Sequence, residues 1–229
     1  MPTVLITGAS RGLGLEFAKQ YAQDGWDVIA TCRTPEQATA LTQLAKAHGS
    51  LRVTALDVSD PASVAALGDR VGNGAIDLLL NNAGVFGDRA GFGSVDYDVW
   101  ARTLATNTLA PLRLSETLVE HVARSEKKLI AHVTSKMGSI ADNTSGGMYV
   151  YRSSKAALNM VNKSMAVDLA GRGITCVVLH PGWVATDMGG ANAPLQPEPS
   201  VRGMRQVLAG LTPAKTGKFF NYDGEELPW

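Results

Sequence analysis

The stretch Thr3-Val4-Leu5-Ile6-Thr7-Gly8-Ala9-Ser10-Arg11-Gly12-Leu13-Gly14 decides the fold. A short β-branched and aliphatic run passes directly into a glycine-rich turn. Beyond it Leu13, Phe17 and Tyr21 recur at the three-to-four spacing of a helix. Strand, glycine turn and helix in that order open a βαβ unit, and the alternation continues along the chain. Strands are expected at residues 3–7, 27–31, 51–56, 76–80, 129–134, 174–180 and 218–220. Most are unbroken apolar runs, as in a parallel sheet covered by helices on both faces, so the class is α/β. A later helix carries Ala157, Val161 and Met165 on one stripe, and Gly25 and Gly171 or Gly173 stand where helix C-caps belong.

The rest of the composition narrows the function. At about 150 residues per domain, 229 residues allow one or two domains. No repeat, linker or composition break divides them, so residues 1–229 read as one domain. Lys plus Arg number 21 and Asp plus Glu number 21, which leaves no net field to attract nucleic acid or an anionic membrane. The apolar runs fall far short of the roughly 20 residues that span a bilayer, and no basic, apolar leader precedes the first strand. A cytoplasmic location is the expectation. Cys32 and Cys176 lie inside β-like runs without Cys-x-x-Cys or histidine company, which suits buried thiols rather than a disulfide or a metal site.

The glycine turn has a chemical reading. Gly8, Gly12 and Gly14 permit a tight bend and close backbone approach, and the helix opening at Ser10, Arg11, Gly12 and Leu13 offers free N–H groups to an anion. That is a dinucleotide cradle. Sites for NAD usually carry an acid about 20 residues later, at the end of the second strand, to hold the ribose hydroxyls. Here that place reads Thr31-Cys32-Arg33. With no carboxylate present, Arg33 and Arg11 can hold a 2′-phosphate, and NADP(H) is expected in preference to NAD(H). Asp57-Val58 can meet the adenine, and Asn81-Asn82-Ala83-Gly84 forms a small polar elbow beneath the cofactor; both also suit plain turns.

Further along, Tyr151 and Lys155 stand four apart on one helix face, where an ammonium is expected to lower the phenol toward working pH. Ser135 ends the fifth strand, able to hydrogen-bond a carbonyl oxygen. Asn107 precedes Pro111 by four residues; the missing N–H leaves the Asn107 carbonyl free to bind a water. After the sixth strand, His180-Pro181-Gly182-Trp183-Val184-Ala185-Thr186 turns back, and Val184 backbone and the Thr186 hydroxyl can meet a carboxamide. His180 reads as structural. A proline-rich stretch, with Pro194, Pro197 and Pro199, makes residues 187–200 a loop over the site.

Taken together, Thr-Gly-x-x-x-Gly-x-Gly, Asn-Asn-Ala-Gly, Asn107, Ser135, Tyr-x-x-x-Lys and Pro-Gly resemble the short-chain dehydrogenase/reductase family. The segments around Gly146-Gly147-Met148-Tyr149-Val150-Tyr151 and Tyr222-Asp223-Gly224 are similar to its sniffer and C-factor subgroup of carbonyl reductases. The resemblance implies a Rossmann-type, doubly wound sheet of seven parallel strands and hydride transfer at the nicotinamide. It also implies a tetrad of Asn107, Ser135, Tyr151 and Lys155, and a homodimer or homotetramer built on the two long helices. Ser135 and Tyr151 are 16 apart, more than the family's usual gap, with Gly146-Gly147 available to loop out the excess. Tyr149 competes for the acid role but has Ser153, not lysine, four positions on. The expected activity is NADPH-dependent reduction of a small carbonyl compound, or oxidation of the matching alcohol. A signalling protein of the C-factor kind, binding NADP(H) with little catalysis, is the alternative. Phe86, Met148, Trp183 and Met188 suggest an apolar substrate compartment.

Overall fold

The computed structural model describes residues 1–229. Seven strands form one parallel sheet: β1 (Thr3–Ile6), β2 (Asp27–Cys32), β3 (Leu51–Ala55), β4 (Leu78–Asn81), β5 (Leu129–Val133), β6 (Thr175–His180) and β7 (Lys218–Asn221). Their order is β3-β2-β1-β4-β5-β6-β7, so the winding reverses between β1 and β4. Seven α-helices cross over the faces: α1 (Gly12–Gln23), α2 (Thr39–Ala47), α3 (Pro61–Val71), α4 (Tyr97–Leu104), α5 (Ala110–Ala123), α6 (Tyr149–Asp168) and α7 (Pro197–Ala209).

The two-residue period of each strand divides its side chains between two cores. Val4 and Ile6 face α1, α2 and α7 with Phe17, Leu41 and Met204, while Leu5 between them faces α3, α5 and α6 with Leu67, Leu114 and Met165. Because both faces of the inner strands are buried, those strands need apolar residues in succession, whereas the edge strand β3 leaves Arg52 and Ala55 exposed. Each wholly buried Leu or Phe contributes roughly 1.5–3 kcal/mol. Cys32 and Cys176 are buried free thiols in these cores.

Two boundaries differ from expectation by more than one residue. β4 begins at Leu78 rather than residue 76, because the Ile76 N–H donates to the His121 carbonyl at the end of α5 and so leaves the ladder. The loop expected over residues 187–200 ends at Gln196, and Pro197 and Pro199 lie in the first turn of α7. Proline has no N–H to lose there and its fixed φ suits the helix start, so the cluster begins a helix instead of prolonging a loop. No helix is long and apolar enough to cross a membrane.

Candidate active site

Parallel strands point all their carboxyl ends to one edge, and there the loops after β1, β2, β3, β4, β5 and β6 gather. At the switch between β1 and β4 the backbone packs too closely for side chains. A Cβ on Gly14 would lie 2.2 Å from the Gly8 carbonyl and 2.6 Å from Asn82 Nδ2, and one on Gly8 would lie 2.9 Å from Ala83 Cα. Gly8 and Gly12 also hold left-handed φ values of 67° and 56°. The elbow of Asn82, Ala83 and Gly84 is stapled to this turn: Asn82 and Ala83 each donate an N–H to Thr7 Oγ1 at 3.0 Å, and Asn82 Nδ2 donates to the Thr7 and Gly8 carbonyls. Sequence reasoning missed that role for Thr7 and Asn82. α1 opens at Gly12 with no side chain capping its N-terminus, so its first N–H groups face the cleft between Ser10 and Leu13 uncommitted.

Around the turn stand the charges. Arg33 is exposed at the end of β2. Asp57 accepts from the Ser59 hydroxyl and N–H, and that hydroxyl, with a smaller part from Arg33, holds its carboxyl below the usual range. Val58 is turned into the core. The Arg11 guanidinium pairs with Asp187 at 2.9 Å.

The other end of the cleft is built on β5 and α6. Ser135 leaves β5 and caps a single 3₁₀ turn, Lys136–Gly138, by accepting the Met137 N–H. Gly138 lets α6 close on that turn, since a Cβ there would sit 2.8 Å from the Lys155 carbonyl carbon. The excess chain before α6 turns out through Gly146, Gly147 and Met148, all in the left-handed region. Tyr151 is thereby buried in the cleft while Tyr149 is exposed beside Phe92. Phe86 stacks on the Tyr151 ring, centroids 4.5 Å apart, and Met188 Sδ lies 4.0 Å from its hydroxyl.

Lys155 Nζ donates to the Val133 carbonyl at 2.9 Å and lies 5.8 Å from the Tyr151 ring centre. Asn107 sits in a π-helical turn, Ala105–Leu109, where the Ala110 N–H reaches back five residues to Ala105. Its side chain is locked: Oδ1 accepts the Val85 N–H, and Nδ2 donates to the Val85 carbonyl and to Ser154 Oγ. Gly84 lies between the two, a Cβ there falling 3.2 Å from Asn107 Oδ1 and 3.5 Å from Lys155 Nζ. The four expected residues are thus brought together.

One expectation is reversed. Lysine was to lower the phenol, yet burial pushes Tyr151 up to about 12, with only the Ser135 hydroxyl pulling the other way. Burial also takes Lys155 down to about 8. The ammonium is aimed at a carbonyl rather than at the phenol oxygen, and both groups lose more from dehydration than they gain from each other.

The loop after β6 covers this ground. Gly182 holds φ 82° against Leu195 and Tyr222, Pro181 accepts from Ser200 Oγ, and the Val184 N–H has no protein partner. The Thr186 methyl packs at Gly12, and its Oγ1 accepts the Gly189 N–H. Trp183 is exposed, its Nε1 donating to Gly189. A cavity of about 630 Å³ lies elsewhere, in an open cleft between α1 and α7 whose charges pair among themselves.

Comparison with known proteins agrees with this architecture. Residues 2–196 match the short chain dehydrogenase family. Over 164 residues the chain is 50% identical to C-signal of Myxococcus xanthus, covering 72% of this chain and 99% of that protein. The carbonyl reductase Sniffer of D. melanogaster superposes with a TM-score of 0.94 at 36% identity, with 100% of both chains covered. An NADPH-bound carbonyl reductase from chicken fatty liver gives 0.94 at 35% identity over 100% of this chain and 99% of the other. Since the family match spans the glycine turn and the β5–α6 site alike, this chain belongs to the short-chain dehydrogenase family.

Proposed function

We propose that this oxidoreductase is an NADPH-dependent carbonyl reductase. The observation that carries the reading is the buried phenol of Tyr151, beside Ser135 and Lys155, on the same sheet edge as the glycine turn. A dinucleotide fits the residues present. Gly8 and Gly14 leave backbone where side chains would stand, the start of α1 is uncapped for a diphosphate, and the unpartnered Val184 N–H suits a carboxamide oxygen. When bound, the cofactor supplies the hydride.

The chain's own residues do the rest. A phenol near 12 stays protonated at neutral pH, which suits the donor of a proton to a carbonyl oxygen gaining negative charge. Ser135 orients that oxygen. Lys155, largely charged at pH 7, holds ribose hydroxyls, and Asn107 anchors the relay that returns a proton to this end of the cleft. Gly8, Ser10, Gly12, Leu13 and Gly14 hold the diphosphate side, with Arg11 reserved for the 2′-phosphate. Asp57, the Val58 backbone, Asn82, Ala83 and Gly84 line the adenosine and ribose side, and Pro181, Gly182, Val184 and Thr186 the nicotinamide. Arg11 and Arg33, with no acid at the end of β2, favour NADP(H) over NAD(H). The substrate is a small carbonyl compound or its alcohol, received against Phe86 and Met188. We further propose a cytoplasmic enzyme that assembles as a homodimer or homotetramer, which the exposed Leu109, Met160 and Val167 on the helical face support.

Tyr151→Phe tests the mechanism: carbonyl reduction followed by NADPH absorbance is lost, while NADPH binding measured by fluorescence persists. Undiminished turnover overturns it. The 50% identity to C-signal favours a second reading, a regulatory protein that binds NADP(H) with little catalysis. Silence of the unmodified protein across aldehydes, ketones and quinones, with NADPH bound, selects that reading.

A further inference from the structure

Beyond β6, residues 183–190 fold into a turn knit by its own hydrogen bonds. Thr186 N–H donates to Val184 O at 2.9 Å, Gly190 N–H to Thr186 O at 2.8 Å, and Trp183 Nε1 to Gly189 O at 2.8 Å. Gly189 packs so tightly that a Cβ would meet Val184 O at 2.0 Å. These bonds tie residues 183–190 into one turn. From it two adjacent side chains reach opposite ends of the cleft: Asp187 pairs with Arg11 on the glycine turn at 2.9 Å, and Met188 Sδ lies 4.0 Å from the Tyr151 hydroxyl. The first contact engages a cation assigned above to the nucleotide. The second covers the oxygen from which a proton must reach the substrate.

We propose that Asp187 and Met188 form a latch, in which Asp187 competes with the nucleotide 2′-phosphate for Arg11 and its release draws Met188 off the Tyr151 hydroxyl. The inference rests on the NADP(H) reading above. Both side chains of the Arg11–Asp187 pair are 75% exposed, so water and salt screen it and it opens readily. A phosphate is the better guanidinium partner, offering more oxygens and more charge than one carboxylate. Once the phosphate holds Arg11, Asp187 is left facing an anion without its counter-charge, and repulsion favours the turn lifting. Because Met188 is the next residue on the same knit turn, the phosphate end and the reacting end answer to a single contact. Asp187 therefore governs both nucleotide selectivity and access to the phenol.

Adenosine 2′,5′-bisphosphate and adenosine 5′-monophosphate, titrated calorimetrically into the unmodified full chain and Asp187→Asn, test this without turnover. Asp187→Asn is expected to bind the bisphosphate about two- to fivefold more tightly, the range of a screened ion pair. Binding of the monophosphate stays unchanged, and the gain disappears in an Arg11→Gln background. In parallel, oxidation of the Met188 thioether by dilute peroxide, followed by mass spectrometry, should accelerate when the bisphosphate is added to the unmodified protein. In Asp187→Asn it should already be fast. A bisphosphate preference of equal size in both proteins, with Met188 oxidation indifferent to ligand, overturns the latch and leaves the cofactor reading standing. No preference for the bisphosphate in either protein overturns both.

Discussion

Lys155 and Tyr151 stand one turn apart on α6, and the same burial drives their proton equilibria in opposite directions, since the charged form of one is the acid and of the other the base. For Lys155 the consequence can be measured. Its native value near 8 lies below the ordinary lysine value of about 10.4, so between them the unfolded chain binds the proton that the native one has lost. Stability therefore rises with pH through that window. Against Lys155→Met, the unmodified protein should gain about 2–3 kcal/mol between pH 7.5 and 10.5, at ~1.4 kcal/mol per pKa unit. Paired urea titrations at the two pH values check this; a constant difference contradicts it. The loss of the bond to the Val133 carbonyl is common to both pH values and cancels. At this scale the pairing of the two side chains was legible, because four-residue spacing fixes a shared helix face. The direction of the phenol's shift was not, because spacing carries no record of burial or of where an ammonium points. Nor could the sequence show that Asn107 is held by Val85 and Ser154, 22 and 47 residues away.

Among the elements, the strand–turn–helix unit at the amino end shows what three glycines accomplish together. Gly14 is in the first turn of α1, where alanine would by propensity favour the helix by about 1 kcal/mol. The Cβ would instead strike the Gly8 carbonyl and the Asn82 amide, neither of which can yield without pulling β1 from the elbow after β4. Gly14→Ala should lower stability by about 1–3 kcal/mol, the usual cost of overpacking, and abolish NADPH binding. Gly49→Ala, with nothing within 4 Å, should leave both nearly unchanged. Urea unfolding and fluorescence titration of the two variants decide it, and native NADPH affinity in Gly14→Ala would count against the cradle. Most elements could be read beforehand because a strand buried on both faces must be apolar throughout. The errors fell at ends, where one hydrogen bond decides: Ile76 is as apolar as its neighbours, yet its N–H goes to His121. Prolines 197 and 199 misled because the same residue type marks a loop and a helix start.

For the molecule as a whole, resistance to acid turns on a histidine that neither reading of the cleft uses. His132, in the middle of the sheet, is fully buried; Asn81 Nδ2 donates to its Nδ1 at 3.2 Å, and its Nε2 has no partner. Burial, reinforced by the Lys155 charge, holds its value down to about 3. The ordinary value is near 6.5, so between 6.5 and 3 the unfolded chain binds a proton that the native sheet refuses. Stability is whole above pH 6.5 and falls as the pH drops toward 3. His180, held near 4 chiefly by burial, adds to the fall with the same sign. Asp57 enters only as the pH falls into the carboxylate range, because its lowered value is felt once the unfolded carboxyl protonates. The window from 6.5 to about 4.5 therefore belongs to the histidines. Replacing His132 by asparagine, which keeps a polar side chain beside Asn81 but cannot titrate, removes the larger share. From pH 7 to pH 4.5 the unmodified protein should lose about 2–3 kcal/mol more than His132→Asn. Urea midpoints that fall in parallel for the two proteins would show that the sheet takes up the proton without opening. In that case the acid response would have to be sought at the surface.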